Sequence, residues 1–362
     1  MPLPPIPGRT LLIRADASAE MGVGHVMRCL ALADAWHDAG GNACFALASG
    51  ASELESQIRS RGGEIAKIKA EPGSLEDAAI TLKLAERCQA AWLMVDGYHF
   101  SANYLQTLSR ATSLLLLMAD GDNVIDCRCN ICVDMSPGSI DSARFHLDGE
   151  PELLLGPNFA LLRREFVEYT KLQRNFPRVA RSILISIGGG DARNITLQVL
   201  RALEEIDGRE LNLTVVAGPS NPHRKSLHAA IAKSKHTATL ITDARNMPQL
   251  MAAADLAITA GGGTCYELCL MQVAMLLIAV ADNQQEPIRA YVSAMAAIDG
   301  GRYDTLDVNS LSALLRNIID DQNLRVELAR NARSMVDGNG ARRIMERMFE
   351  VSRREQKMEI QN

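Results

Sequence analysis

The chain has no surplus of positive charge. Its 38 Lys and Arg stand against 43 Asp and Glu in 362 residues, a net charge of −5. No global basic field draws it to nucleic acid, although a locally positive cleft needs only a few arginines gathered together. Long apolar stretches are missing as well. The longest are of the kind at Leu114–Ala119, far short of the roughly 20 residues a membrane-spanning helix requires. The start, MPLPPIPGRT, lacks a basic stretch followed by an apolar one, so it reads as an extended proline-rich arm and not as a signal peptide. The eight cysteines are scattered without a disulfide framework and read as reduced thiols, which gives the expectation of a cytoplasmic protein without membrane insertion.

Several catalytic signatures are also absent. No Gly-Lys-Ser/Thr occurs, which excludes a P-loop kinase, and there is no Gly-x-Ser-x-Gly elbow or His-Glu-x-x-His. The segment CRCNIC places Cys127, Cys129 and Cys132 close together, but no fourth ligand follows at zinc-site spacing. The glycine loop near the N-terminus, MGVGHVM, has Met27 where a dinucleotide fingerprint needs its third glycine. The second strand, ACFALAS, has no acid at its end for a ribose, so the loop does not read as an NAD site.

What is present is an alternation. Short apolar runs at Leu11–Asp16, Ala43–Ser49, Trp92–Gly97 and Leu114–Asp120 read as buried parallel strands. Helix-period segments at Gly24–Ala39, Glu53–Arg61, Leu75–Cys88 and Ala102–Ser109 separate them. Residues 121–150, rich in Asp, Gly, Ser and Pro, read as irregular. From Ser182 the alternation restarts with SILISIGGG, LNLTVVAG, ATLITD, DLAITAG and AMLLIAVAD, with helices between them and helical segments from about Leu311 to Gln356. A chain with 47% apolar residues can bury two cores. The pattern predicts an α/β protein of two Rossmann-type domains, 1–174 and 175–362, the last helices being candidates to pack back on the first. Ligands of such sheets bind at the carboxyl ends of the strands, here in a cleft the two domains would face.

The chemistry-bearing residues fall at those strand ends. RADASAEMGVGH runs from Asp16 through Gly22 and Gly24 to a helix start carrying His25 and Arg28. His25 either caps local backbone or, kept neutral by the helix dipole, serves as a general base. SIGGGDARNIT sets Gly188, Gly189 and Gly190 between a strand and a helix that begins near Asn194. ITAGGGTCYEL does the same with Gly261, Gly262, Gly263 and Thr264. Each cluster alone is compatible with simple turn chemistry; two on one sheet edge build a cradle of N–H groups for a diphosphate. Glu267, one turn into the second helix, either holds ribose hydroxyls or complements the helix dipole. Asp282, Asn283 and Gln284 end the next strand and offer polar groups to a sugar.

In order, IRADASAEMGVGHVMRCLALA, VDGYHF, LLGPNFALLRREF, SIGGGDARNIT and ITAGGGTCYELC with VADNQ resemble one family over roughly residues 10 to 290. That family is the UDP-sugar hydrolases of pseudaminic acid biosynthesis, which act on UDP-2,4-diacetamido-2,4,6-trideoxy-β-L-altropyranose. It is related to spore-coat polysaccharide proteins and MurG-like GT-B glycosyltransferases. The resemblance implies a GT-B-like fold, with the sugar on the N-terminal side and UDP on the C-terminal side. It also implies a hydrolysis without metal or cofactor that supplies free sugar for nonulosonic acid synthesis and flagellin glycosylation. His25 matches the family's catalytic histidine, Tyr98 the tyrosine after the fourth strand, and Asn283 and Gln284 its Asn-Gln pair. Implied partners are the UDP-sugar and a pathway acetyltransferase or synthase. The chain departs from the family where Asp-His-Tyr becomes Asp96, Gly97 and Tyr98 followed by His99, and where Gly-x-Pro is replaced by MQVAM, with Gln272 and Ala274. A glycosyltransferase using the same donor pocket, or a non-catalytic nucleotide-sugar binder, are the alternatives.

Overall fold

The computed structural model describes residues 5–17, 23–49, 52–110, 113–119, 125–138, 145–148, 151–188, 190–218 and 221–361. They form two compact units, one of residues up to Arg164 together with those from Gly338 onward, the other Glu165–Asp337.

The first unit opens with β1 (Thr10–Ala15), α1 (Gly24–Asp38), β2 (Asn42–Leu47), α2 (Ser52–Ser60), β3 (Glu64–Lys67), α3 (Leu75–Arg87), β4 (Ala90–Asp96), α4 (Ala102–Leu108) and β5 (Leu114–Ala119). Leu11, Leu12, Ile13, Leu93, Met94 and Leu116 are fully buried, as strands covered on both faces require. The short strands β6 (Ile125–Arg128), β7 (Ile131–Asp134), β8 (Phe145–Asp148) and β9 (Glu152–Leu155) follow. The seven-stranded sheet has the order β3-β2-β1-β4-β5-β7-β9 with every pairing parallel, while β6 and β8 pair separately. This corrects the irregular reading of residues 121–150. Strands of four residues are too short to show a period, and the Asp, Gly, Ser and Pro between them dominate the local signal.

After α5 (Arg164–Val167) the second unit runs β10 (Ser182–Ser186), α6 (Ile195–Glu204), β11 (Asn212–Val216), α7 (Arg224–Ala232), β12 (Thr237–Ile241), α8 (Met247–Ala253), β13 (Leu256–Ala260) and α9 (Thr264–Leu270). It continues with β14 (Ala274–Ala279), α10 (Gln285–Ser293), β15 (Ile298–Arg302), α11 (Val308–Asp320) and α12 (Gln322–Met335). Its sheet order is β12-β11-β10-β13-β14-β15, again all parallel. Ile183, Ile185, Val199, Leu203, Ile258, Leu276 and Leu315 make its core between the sheet and the α6–α11 layer. Arg174 holds the entering segment by donating to Met271 O (3.0 Å) and Met251 O (2.5 Å), and so satisfies carbonyls at the ends of α8 and α9.

The last helix, α13 (Gly340–Gln361), belongs to the first unit. Trp92 of β4 donates its indole N–H to Ser352 Oγ at 3.1 Å, and Arg343 donates to Asn158 O at 2.8 Å. Gly340 is obligatory there, because a Cβ would collide with the backbone of Phe159 and Ala160.

Candidate functional site

Strand order reverses between β1 and β4 in one sheet and between β10 and β13 in the other, so each unit has a switch point where ligands of this architecture bind. The sequence-expected residues lie at the carboxyl ends of these strands and of β14. Gly22 and Gly189 lie outside the described residues.

In the first unit, Gly24 and His25 begin α1, whose N-cap residue Val23 makes no side-chain cap. His25 is buried, with 5% of its surface exposed, and its ring meets the Tyr98 ring edge-on with centroids 4.6 Å apart and planes at 70°. Tyr98 itself is 45% exposed. Three residues beyond His25, Arg28 forms a bidentate pair with Asp96 at the end of β4, donating from Nε at 2.6 Å and from a terminal nitrogen at 2.5 Å. That pair fixes the first turn of α1 to the strand that delivers Tyr98.

Asp16, expected as a substrate ligand, is instead fully buried with both oxygens engaged. Oδ1 accepts the backbone N–H groups of Ala48 (2.8 Å) and Ser49 (3.0 Å), while Oδ2 faces Arg14 at 2.7 Å and His99 Nε2 at 3.1 Å. Burial by itself would raise this carboxyl, but the hydrogen bonds from His99 and Arg14 outweigh it and hold Asp16 well below the usual carboxylate range. Arg14 also forks onto Asp77 at 2.9 and 2.6 Å, and Tyr104 Oη donates to Asp77 at 3.0 Å. This buried network underlies the switch point and anchors the loop at His99, a residue noted in the sequence only as a departure from the family pattern. It also accounts for Gly97: a Cβ there would lie 2.8 Å from His99 Cε1 and 2.9 Å from Phe100 Cε2. The imidazole of His99 occupies the room that a side chain at 97 would need.

In the second unit the glycines separate into two kinds. Gly188 has φ +100°, a conformation that favours glycine, and a Cβ at Gly261 would meet Ile288 Cγ1 at 2.7 Å. Those two are demanded by the fold. Gly190, Gly262 and Gly263 have ordinary φ and, among the described residues, nothing within 4 Å of a would-be Cβ, and Gly24 of the first unit is alike. Internal packing gives no reason for glycine at those positions, whereas close approach of a ligand to the backbone does.

The donors beyond the glycine loops differ as well. Asp191 turns its carboxylate onto Ile195 N–H (2.8 Å) and Thr196 N–H (3.0 Å), so the start of α6 is already capped. Asn194 sits in the left-handed region at φ 55°. Thr264 opens α9 after Gly263, with no side-chain cap, and Glu267 is half-buried in its first turn. In the loop after β14, Asp282 pairs with Arg302 at 2.9 Å, and Gln284 Oε1 accepts Val280 N–H at 3.0 Å. Asn283 is exposed beside them. Cys129 and Cys132 are buried, and the Cys127 side chain lies outside those described.

Two all-parallel sheets of this order, each with its glycine loop at the switch point, define an α/β protein of the GT-B type. Residues 182–348 match the glycosyltransferase family 28 C-terminal domain. The chain is 24% identical over 333 residues to the spore coat polysaccharide biosynthesis protein SpsG of Bacillus subtilis, covering 92% of this chain and 95% of that protein. It is 24% identical over 278 residues to UDP-2,4-diacetamido-2,4,6-trideoxy-beta-L-altropyranose hydrolase of Campylobacter jejuni, covering 76% and 93% respectively. Among solved structures, MurG of Acinetobacter baumannii superposes with a TM-score of 0.69 at 14% identity, over 95% of this chain and 100% of that one. These likenesses place the protein among GT-B-related proteins. No helix among the described residues is long and apolar enough to cross a membrane.

Proposed function

We propose that the protein is a nucleotide-sugar hydrolase that cleaves a UDP-linked 2,4-diacetamido-2,4,6-trideoxy sugar at the anomeric carbon. The observation that carries this reading is the pairing of His25 with Tyr98: a histidine in the first turn of α1, nearly closed to solvent, set against a half-exposed phenol. In this reading His25 takes a proton from water as the water oxygen bonds to the anomeric carbon. The bond from that carbon to the diphosphate oxygen breaks, and UDP leaves with the electron pair. Tyr98 orients the water or the sugar. The second unit holds UDP through the open backbone at Gly262 and Gly263, with Thr264 and Glu267 beside it, and its N–H groups stabilise the leaving charge. The likeness to the Campylobacter hydrolase over 93% of its length supports water as the acceptor.

One observation favours a second reading. The match of residues 182–348 is to a glycosyltransferase domain, and the same donor pocket would serve transfer to an acceptor hydroxyl. The two readings part in an assay without acceptor. Purified protein is incubated with UDP-linked 2,4-diacetamido sugars, and UDP and free sugar are followed by NMR. The hydrolase reading expects both products from the native chain, and a rate lower by about 10²–10⁴-fold for His25→Ala with UDP binding retained. Turnover by His25→Ala at the native rate removes His25 as the base. Tight UDP binding without hydrolysis across the panel favours the transferase.

A further inference from the structure

Charge at the carboxyl edge of the second sheet supports an assignment that rests on the reading of this unit as a nucleoside diphosphate site. A diphosphate is multiply negative, and the start of α6 is poorly placed to meet it. Asp191 already occupies the N–H groups of Ile195 and Thr196 and adds a negative charge of its own. Two cations at the same edge are already spent. Arg302 binds Asp282 at 2.9 Å and both oxygens of Asp304 at 2.7 and 2.8 Å, and Arg245 binds Asp243 at 2.8 Å.

Arg193 differs. The residue is exposed, and its guanidinium carbon lies 3.6 Å from the centroid of the Tyr303 ring. Among the described residues no carboxylate is within ion-pair distance of it, and Asp304, which senses its charge, has both oxygens on Arg302. An aromatic face orients a guanidinium without neutralising it, whereas a carboxylate would do both. The contact also spans the right place. Arg193 follows β10 and Tyr303 follows β15, and β13 and β14 lie between those strands in the sheet. The pair therefore joins the two loops that bracket Gly262, Gly263 and the Asp282–Gln284 turn, where the backbone is open.

We propose that Arg193 is the side chain that binds the diphosphate of the nucleotide, held ready on Tyr303, and that Arg302 is kept from this role by its two carboxylates. The guanidinium fork presents paired N–H donors to phosphate oxygens and supplies the positive charge that the capped α6 does not.

The test measures binding of UDP by calorimetry and of uridine by saturation-transfer NMR on the full chain. Arg193→Gln is expected to weaken UDP by about ten- to a hundredfold, with uridine binding and thermal stability unchanged and a shallower dependence of UDP affinity on salt. Arg193→Lys, which keeps the charge without the fork, is expected to recover part of the loss. Native-like UDP affinity in Arg193→Gln overturns the assignment and leaves the nucleotide reading standing. An equal loss of UDP and uridine also overturns it, since the residue would then act through the fold or the base. Absence of any UDP binding by the native chain overturns the nucleotide reading and this assignment with it.

Discussion

Adding one methyl group at Gly261 and at its neighbour Gly262 should have opposite consequences. At 261 the new Cβ would press on Ile288, and Gly261→Ala is expected to cost about 1–3 kcal/mol of stability as an overpacked site. At 262 there is open space and an ordinary φ, so Gly262→Ala should leave stability within about 0.5 kcal/mol. The same substitution should weaken UDP by roughly tenfold or more, about 1.4 kcal/mol, because the methyl would stand where the proposed ligand meets the backbone. Thermal melts and UDP titrations of the two variants check this; a stable Gly262→Ala variant with native affinity would remove the cradle. Sequence could not separate these glycines, since GGGT is the same string whether a residue yields to Ile288 or to a ligand. It could not place Asp16 either. A carboxylate at a strand end looks alike facing solvent or facing Arg14, Ala48, Ser49 and His99, which arrive from distant positions. The place of His25 could be read because a loop glycine before a helix start marks the switch point by itself, whereas Tyr98 was singled out only by the family resemblance.

Among elements, the long buried strands and the helices after them could be read from the chain, because β4, β5, β13 and β14 are almost wholly apolar and β1 is apolar over residues 11–13. The elements that escaped are those whose residues answer to neighbours. β3 is a four-residue edge strand with exposed ends and a half-buried middle, so it shows no alternation. β15 contains two glycines, one of which makes room for Leu276 and Ile278 of β14, and its register slips against that strand. The helix α13 depends on a single small residue for its seat. Gly340→Ala would drive a Cβ into the backbone at Phe159 and Ala160, which cannot move as a flexible side chain does. We expect a loss of about 1–3 kcal/mol, seen as a lower melting temperature, with UDP affinity unchanged because the second unit is untouched. Unaltered melting would show that α13 sits elsewhere.

For the molecule as a whole, the division into two units predicts a selective response to ligand. Saturation with UDP at about a hundred times its Kd should stabilise the unit that binds it by about 2.7 kcal/mol. Hydrogen exchange should then slow in the loops after β10, β13 and β14, while β1–β5 and α13 keep the exchange rates of the free protein. Uniform protection of both units would contradict a nucleotide held by the second. The place of α13 has a consequence for biosynthesis. The second unit is an uninterrupted stretch of chain, whereas the first must wait for residues from Gly338 onward to leave the ribosome before its last helix can dock against Trp92 and the turn at Pro157–Phe159. The unit proposed to hold the nucleotide can therefore mature before the unit that carries His25, and a chain that stops short of Gly340 is expected to bind UDP while lacking the helix that completes the His25 unit.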